Sequence, residues 1–140
     1  MDTRIFLDAI SKCNLATIST VGANGKPQAA VIGIGHTDNF EIIFGTFNTT
    51  CKYKNIQTDP SVALVIGWED GKTVQYEGVA RELTPDEIHL VRDNLWAKNP
   101  GTKKYYTDER QRYFMVSPRW MRYTDMTIEP RYVVEHVFKG

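Results

Sequence analysis

The sequence predicts a mainly β fold: an antiparallel sheet closed into a small barrel, with a few flanking helices. Three observations carry that reading. Short β-branched or alternating segments recur between Leu15 and Thr124, as half-buried strands do. Tight-turn residues separate them, Asn24-Gly25 and Asp70-Gly71 among them. Helical spacing is confined to the amino-terminal end, the stretch after Thr50 and the stretch after Thr84. Regular strand–helix alternation is missing, as are Gly-x-Gly-x-x-Gly and any Walker-type loop, which counts against a doubly wound nucleotide fold. Closure into a barrel would leave no bare sheet edge. A chain of 140 residues suits one domain, 1–140, with a real core.

In order, Asp2 or Thr3 caps a short amphipathic helix that puts Ile5, Phe6, Ala9 and Ile10 on one face. Leu15–Val21 is a β-branched strand, Asn24-Gly25 a hairpin signal, and Gln28–Gly35 the returning strand. Gly33 and Gly35 mark a kink or bulge that helps the sheet curl. Phe40, Ile42 and Phe44 alternate with Glu41 and Ile43, a half-buried strand. Val62–Trp68 is almost wholly apolar and is expected to be covered on both faces, inside the sheet or by a partner subunit. Val74–Arg81 alternates as a long strand with one polar side. Thr84-Pro85-Asp86-Glu87 is a helix start with a capping box, and Ile88, Val91 and Leu95 form that helix's apolar stripe. Residues 102–112 read as a loop or brief helix. Tyr113–Ser117 and Trp120–Thr124 read as two strands broken at Pro118, and residues 131–138 as a final strand or an arm.

The stretch from Phe40 to Pro60 organises the rest: strand, hydroxyl-rich loop, short helix. Thr46, Thr49 and Thr50 offer hydroxyls there, and Lys52 and Lys54 fall in the helix's first turn. Cations at that end oppose the helix dipole. They make physical sense beside a bound anion, and phosphate is the usual one.

Composition excludes several classes. Basic and acidic residues balance at 17 each, which disfavours nucleic-acid binding, an affinity built on phosphate neutralisation. Between Lys98 and Arg122 seven basic residues face only Asp108 and Glu109, so a local anion-facing patch is expected there. Cys13 and Cys51 form no Cys-x-x-Cys motif, and His36, His89 and His136 lack metal-ligand spacing, so no metal is expected. With no basic–apolar leader and no run able to span a bilayer, the expectation is a cytoplasmic protein with reduced thiols and no membrane partner.

Five motifs then fall in a recognisable order: Leu15-Ala16-Thr17; Asn24-Gly25-Lys26-Pro27; Thr46 with Thr50-Cys51-Lys52; Asp59-Pro60-Ser61-Val62-Ala63-Leu64; and Glu77-Gly78-Val79-Ala80. Together they resemble the pyridoxamine 5′-phosphate oxidase-like family of FMN-binding split β-barrels, and the short length is similar to its general-stress-protein branch. The resemblance implies a six-stranded, Greek-key-like antiparallel split barrel, homodimeric, with FMN at the subunit interface. It implies phosphate contacts from Thr46, Thr50 and Lys52, with Gly45 and Cys51 in the same cofactor site, and ring contacts from the backbone of Gln28, Ala29, Ala30 and Val31. Trp68 matches an aromatic position at the end of the fourth strand, and Thr73 and Gln75 a segment reaching across from the second subunit; Trp120 is a candidate cover for the flavin or a substrate, a core tryptophan being the more common alternative. The arginine often found near Ala30 is missing, and Cys51 replaces a basic residue. Thr124 stands where the true oxidase has a substrate histidine, so pyridoxine-phosphate oxidation is not expected. The activity implied is that of an FMN-dependent oxidoreductase passing hydride or electrons through flavin N5, with Arg119 and Arg122 as candidates for an anionic substrate or a nicotinamide donor's phosphate. No acid–base residue stands out. The alternatives are a deazaflavin or haem in the same barrel, a non-catalytic flavin-binding or redox-sensing protein, and oligonucleotide binding by an unrelated small barrel.

Overall fold

The structure, a computed structural model, describes residues 3–140; Asp2, the alternative cap of the first helix, lies outside them. Helix α1 (Arg4–Ser11) starts after Thr3 and buries Phe6 and Ile10. Eight strands follow: β1 (Leu15–Val21), β2 (Pro27–Gly33), β3 (Gly35–His36), β4 (Ile42–Phe47), β5 (Ser61–Ile66), β6 (Lys72–Glu82), β7 (Gln111–Asp125) and β8 (Tyr132–Val137). Helix α2 (Cys51–Thr58) joins β4 to β5. A helical run over 85–98 and a 3-10 segment, Pro100–Tyr105, join β6 to β7.

Every pairing is antiparallel, in the order β2-β1-β5-β6-β7-β4-β3, with β8 added beside β7. The two ends of that path, β2 and β3, are separated in the chain by Ile34 alone. The sheet must therefore curl until its ends meet, and this makes it a split barrel. The eight strands exceed the six that the resemblance implies, the additions being the two-residue β3 and the tail strand β8. At the kink, Asn99 donates to the Ile34 carbonyl (2.9 Å) and the Asn14 carbonyl (3.1 Å). Gly35 is needed because a Cβ there would collide with the Asn94 backbone.

Inside the barrel lie Ile18, Ile34, Ile42, Phe44, Ile66, Val74, Tyr76, Phe114 and Met121, all but sealed from solvent. A second apolar cluster, outside the barrel, packs Val91 and Leu95 onto Ile43 and Met115. The strand at Ile42–Phe44 is thus buried on both faces, where alternation predicts one. The Tyr76 hydroxyl, sunk in the core, spans the Phe40 (2.7 Å) and Val116 (3.0 Å) carbonyls; burial raises its pKa well above the ordinary phenol value.

Three expectations change. Strand β5 alternates, burying Val62, Leu64 and Ile66 and leaving Ala63 and Val65 open, so one face is uncovered within the chain. Pro118 does not break β7. The ladder slips there, pairing Glu77 with Trp120 and Gly78 with Pro118, so Arg119 is the extra residue of a bulge. A bulge is where an interior strand tolerates proline. The 85–98 run also contains a π-turn at Val91–Leu95, a feature frequent near functional sites.

Candidate functional site

Thr50 caps α2: its hydroxyl accepts the Tyr53 N–H (3.3 Å). The Thr46 and Thr50 hydroxyls stand 2.8 Å apart, and Thr50 Oγ1 is also 3.1 Å from the Phe47 carbonyl. Thr50 has one proton for those two acceptors. When it goes to Thr46, the Thr46 proton is free for a ligand. The N–H groups of Cys51 and Lys52 meet no acceptor among the described residues, as expected for a first helical turn. The Lys52 ammonium has no carboxylate within ion-pair reach among them either. A cationic helix start is thus left with unspent donors.

What fixes that helix start is a polar contact the sequence pattern does not reveal. Asn55, buried on the inner side of α2, donates from Nδ2 to Gln28 Oε1 (2.7 Å) and Thr20 Oγ1 (3.0 Å). Gln28 therefore spends its carbonyl tying α2 to β1 and β2. An asparagine one helical turn past a lysine-bearing helix start is the signal that could have pointed to it.

Two grooves flank the helix start. One, about 380 Å³, is lined by Ile18, Thr20, Gln28, Ala29, Ala30, Cys51 and Lys52. Its wall β2 pairs only with β1, so the outward backbone donors and acceptors of that edge strand are uncommitted. The other, about 300 Å³, is lined by Gly33, Gly45, Thr46, Phe47, Thr50, Leu95, Thr102, Tyr105, Gln111 and Tyr113. The structure thus brings together Gln28, Ala29, Ala30, Cys51 and Lys52, and beside them Gly45, Thr46 and Thr50.

The remaining predicted residues lie elsewhere in the chain. Register places Val31, Thr17, Val65, Gln75, Arg122 and Glu135 in one row across the outer face of β2, β1, β5, β6, β7 and β8. Four strand spacings separate Val31 from Arg122, about 19 Å. Thr73 and Trp120 share that face, and Trp68 is exposed just past β5. Within one chain these residues do not meet the α2 groove. Leu15, Val31, Val65, Val133 and Val137 make the outer face apolar, and Val31 and Val137 are 61% and 71% exposed. The basic stretch does not form the expected patch. Arg110 pairs with Asp108, Arg122 with Glu135, Lys98 donates to the Ile10 carbonyl (3.1 Å), and Lys103 and Lys104 lie over aromatic rings. Arg119 lines a third groove, about 440 Å³, beside Glu77.

Burial lowers the pKa of His36 and raises that of Cys13, but neither lines the α2 groove. No group of three or more His, Cys, Asp or Glu among the described residues is placed to hold a metal ion. No helix among them is long and apolar enough to cross a membrane.

The comparisons agree with this architecture. The sequence profile of the pyridoxamine 5′-phosphate oxidase family matches residues 4–125, and the chain belongs to that family. A pyridoxine/pyridoxamine 5′-phosphate oxidase of Burkholderia vietnamiensis is 31% identical over 88 residues, which cover 62% of this chain and 39% of that relative. The chain thus spans about two fifths of the length of the curated relatives it matches. Among solved structures, a heme binding protein from Mycobacterium smegmatis superimposes with a TM-score of 0.79 at 17% identity, over 92% of this chain and 55% of that one. General Stress Protein 26 from Bacillus anthracis gives 0.72 at 22%, over 93% and 95%. A pyridoxamine 5′-phosphate oxidase-related, FMN binding protein from Nostoc punctiforme gives 0.69 at 11%, over 99% and 96%. At such identities these likenesses establish the split-barrel fold alone.

Proposed function

We propose that this chain is an FMN-binding flavoprotein, an oxidoreductase built as a homodimer with the cofactor between its subunits. One observation carries the reading: a lysine-bearing helix start with free N–H groups, anchored from below by Asn55, opening onto a groove walled by small residues and a bare strand edge. The FMN phosphate fits this end of α2. Lys52 supplies charge, the Cys51 and Lys52 N–H groups supply aligned donors, and Thr46, accepting the Thr50 proton, supplies its own hydroxyl proton. Ala29 and Ala30 leave room for a flat ring against β2, whose outward backbone groups face the ring's polar edge. When bound, the flavin supplies the electron chemistry; the protein binds, orients and shields it.

The outer face supports the dimer. Its exposed valines and leucine form a surface that a two-fold partner covers with the same patch. The partner's Gln75 and Trp120 then reach the α2 groove that they cannot reach within one chain. Arg119, at the bulge, is the guanidinium available to a donor's phosphate. FMN is favoured over haem because the lysine-bearing start of α2 suits a phosphate, a group that haem lacks.

The decisive experiment releases the small molecule from protein as purified and identifies it by mass, alongside sedimentation analysis. FMN at one per chain in a dimer is expected, and Val65→Asp is expected to give a monomer that loses it. A monomer that stays colourless in excess FMN contradicts the reading, and haem in the released fraction replaces it.

A further inference from the structure

Trp120 is the ring that the proposed dimer brings to the partner's flavin, and its neighbours hold it in a particular way. It lies half-buried on the outer face of β7, across from Glu77 of β6 on one side and Val137 of β8 on the other. Two residues on, Arg122 stands between Gln75 and Glu135. The Arg122 guanidinium lies over the Trp120 indole, 5.6 Å from the ring centre. It donates from Nε to Glu135 Oε1 (2.7 Å) and from Nη2 to the same oxygen. Glu77, the acid on the β6 side, makes no ion pair among the described residues. The guanidinium is thus drawn to β8 while it rests on the indole. Arg122 holds the Glu135 carboxyl below the usual carboxylate range, and the Trp120 indole N–H adds to that pull.

A guanidinium stacked on an indole restricts the ring, and a charge-assisted hydrogen bond restricts the guanidinium. Arg122 and Glu135 are 42% and 47% exposed, and ion pairs so open to water add little to stability. The consequence of this pair is orientation. We infer that Glu135 and Arg122 are positioning residues for Trp120, setting the angle at which its indole covers the partner's flavin. The inference rests on the proposed FMN dimer. A covering ring serves only when its supports hold it to within roughly 10–20°. Strand β8, beyond the six strands that the resemblance implies, carries that support. Arg122 is then spent on Trp120, and Arg119 is left as the guanidinium for a donor's phosphate.

Two measurements on purified full-length protein test this. In fluorotryptophan-labelled protein free of FMN, the Trp120 fluorine resonance is identified by its loss in Trp120→Phe. That resonance is expected to shift or broaden in Glu135→Gln, while those of Trp68 and Trp96 stay in place. With FMN bound, Glu135→Gln and Arg122→Ala are each expected to release it at least fivefold faster, both remaining dimers by sedimentation. In a Trp120→Ala background, Glu135→Gln is expected to change the release rate less than twofold, because residues acting through one another are not additive. An unmoved Trp120 resonance, the same acceleration without Trp120, or acceleration that accompanies dissociation into monomers overturns the inference. FMN bound by the variants and released at the wild-type rate rejects the inference alone. Protein that takes up no FMN while its Trp120 resonance still responds rejects the flavin reading, and the covering role with it.

Discussion

Two helix starts in this protein have the same problem and solve it differently. Both expose the unpaired N–H groups and partial positive charge of a first turn. At the 85–98 run the chain answers from within. The Glu87 carboxylate accepts the Thr84 N–H (2.9 Å) and hydroxyl (3.0 Å), Asp86 lies in the same turn, and Arg81 grips both Glu87 oxygens at 2.9 Å. These contacts, the Arg81 guanidinium first, hold the Glu87 carboxyl down at about 2. At α2 the first turn carries no acid and Lys52 instead. Under the proposed reading, a bound phosphate supplies the missing counter-charge at α2.

That contrast can be broken experimentally, and the largest effect is expected from charge reversal. Lys52→Glu is expected to weaken FMN binding beyond the ~1–3 kcal/mol typical of losing a charged hydrogen bond, because it adds repulsion; titration calorimetry reads it. Asn55→Ala leaves Thr20 and Gln28 without their shared partner, and denaturant unfolding is expected to show a loss of about 2–3 kcal/mol, with FMN affinity falling as α2 loosens. Glu87→Gln is the control at the other helix start. It is expected to cost about 0.5–1 kcal/mol at neutral pH and to leave FMN affinity unchanged. The sign in acid is set by the lowered carboxyl: its stabilisation is present above the ordinary glutamate value and lost as pH falls toward about 2. The variant should show a shallower decline across that window. The smallest effect is the most telling: without flavin, Lys52→Glu is expected to raise stability by about 0.3–1 kcal/mol, since an acid suits a helix start. A residue that opposes its own helix and is improved by reversal serves something other than the fold.

Local patterns were readable from the chain. The Asn24-Gly25 hairpin, with Gly25 at φ 79°, the Thr84–Glu87 capping box, the strand alternation and the lysines after Thr50 each depend on residues a few positions apart. The rest depends on long-range meetings that no window holds. Ile43 is buried because the 85–98 run crosses outside the barrel, and Pro118 is absorbed because a bulge needs only one unpaired residue. The second groove assembles Gly45 and Phe47 of β4 with Gln111 of β7 and the nearby Tyr105, segments that only the pairing of these distant strands brings together. The outer row from Val31 to Arg122 was hidden for the same reason. Its residues lie on five strands, and register alone aligns them.

Recognition of a phosphate by α2 is the central claim, and titrating the purified protein with FMN and with riboflavin, which differ by that group alone, tests it most directly. FMN is predicted to bind the wild type at least tenfold more tightly than riboflavin, with the preference abolished in Lys52→Glu. Equal affinity for the two flavins, or a preference that survives the charge reversal, would contradict it.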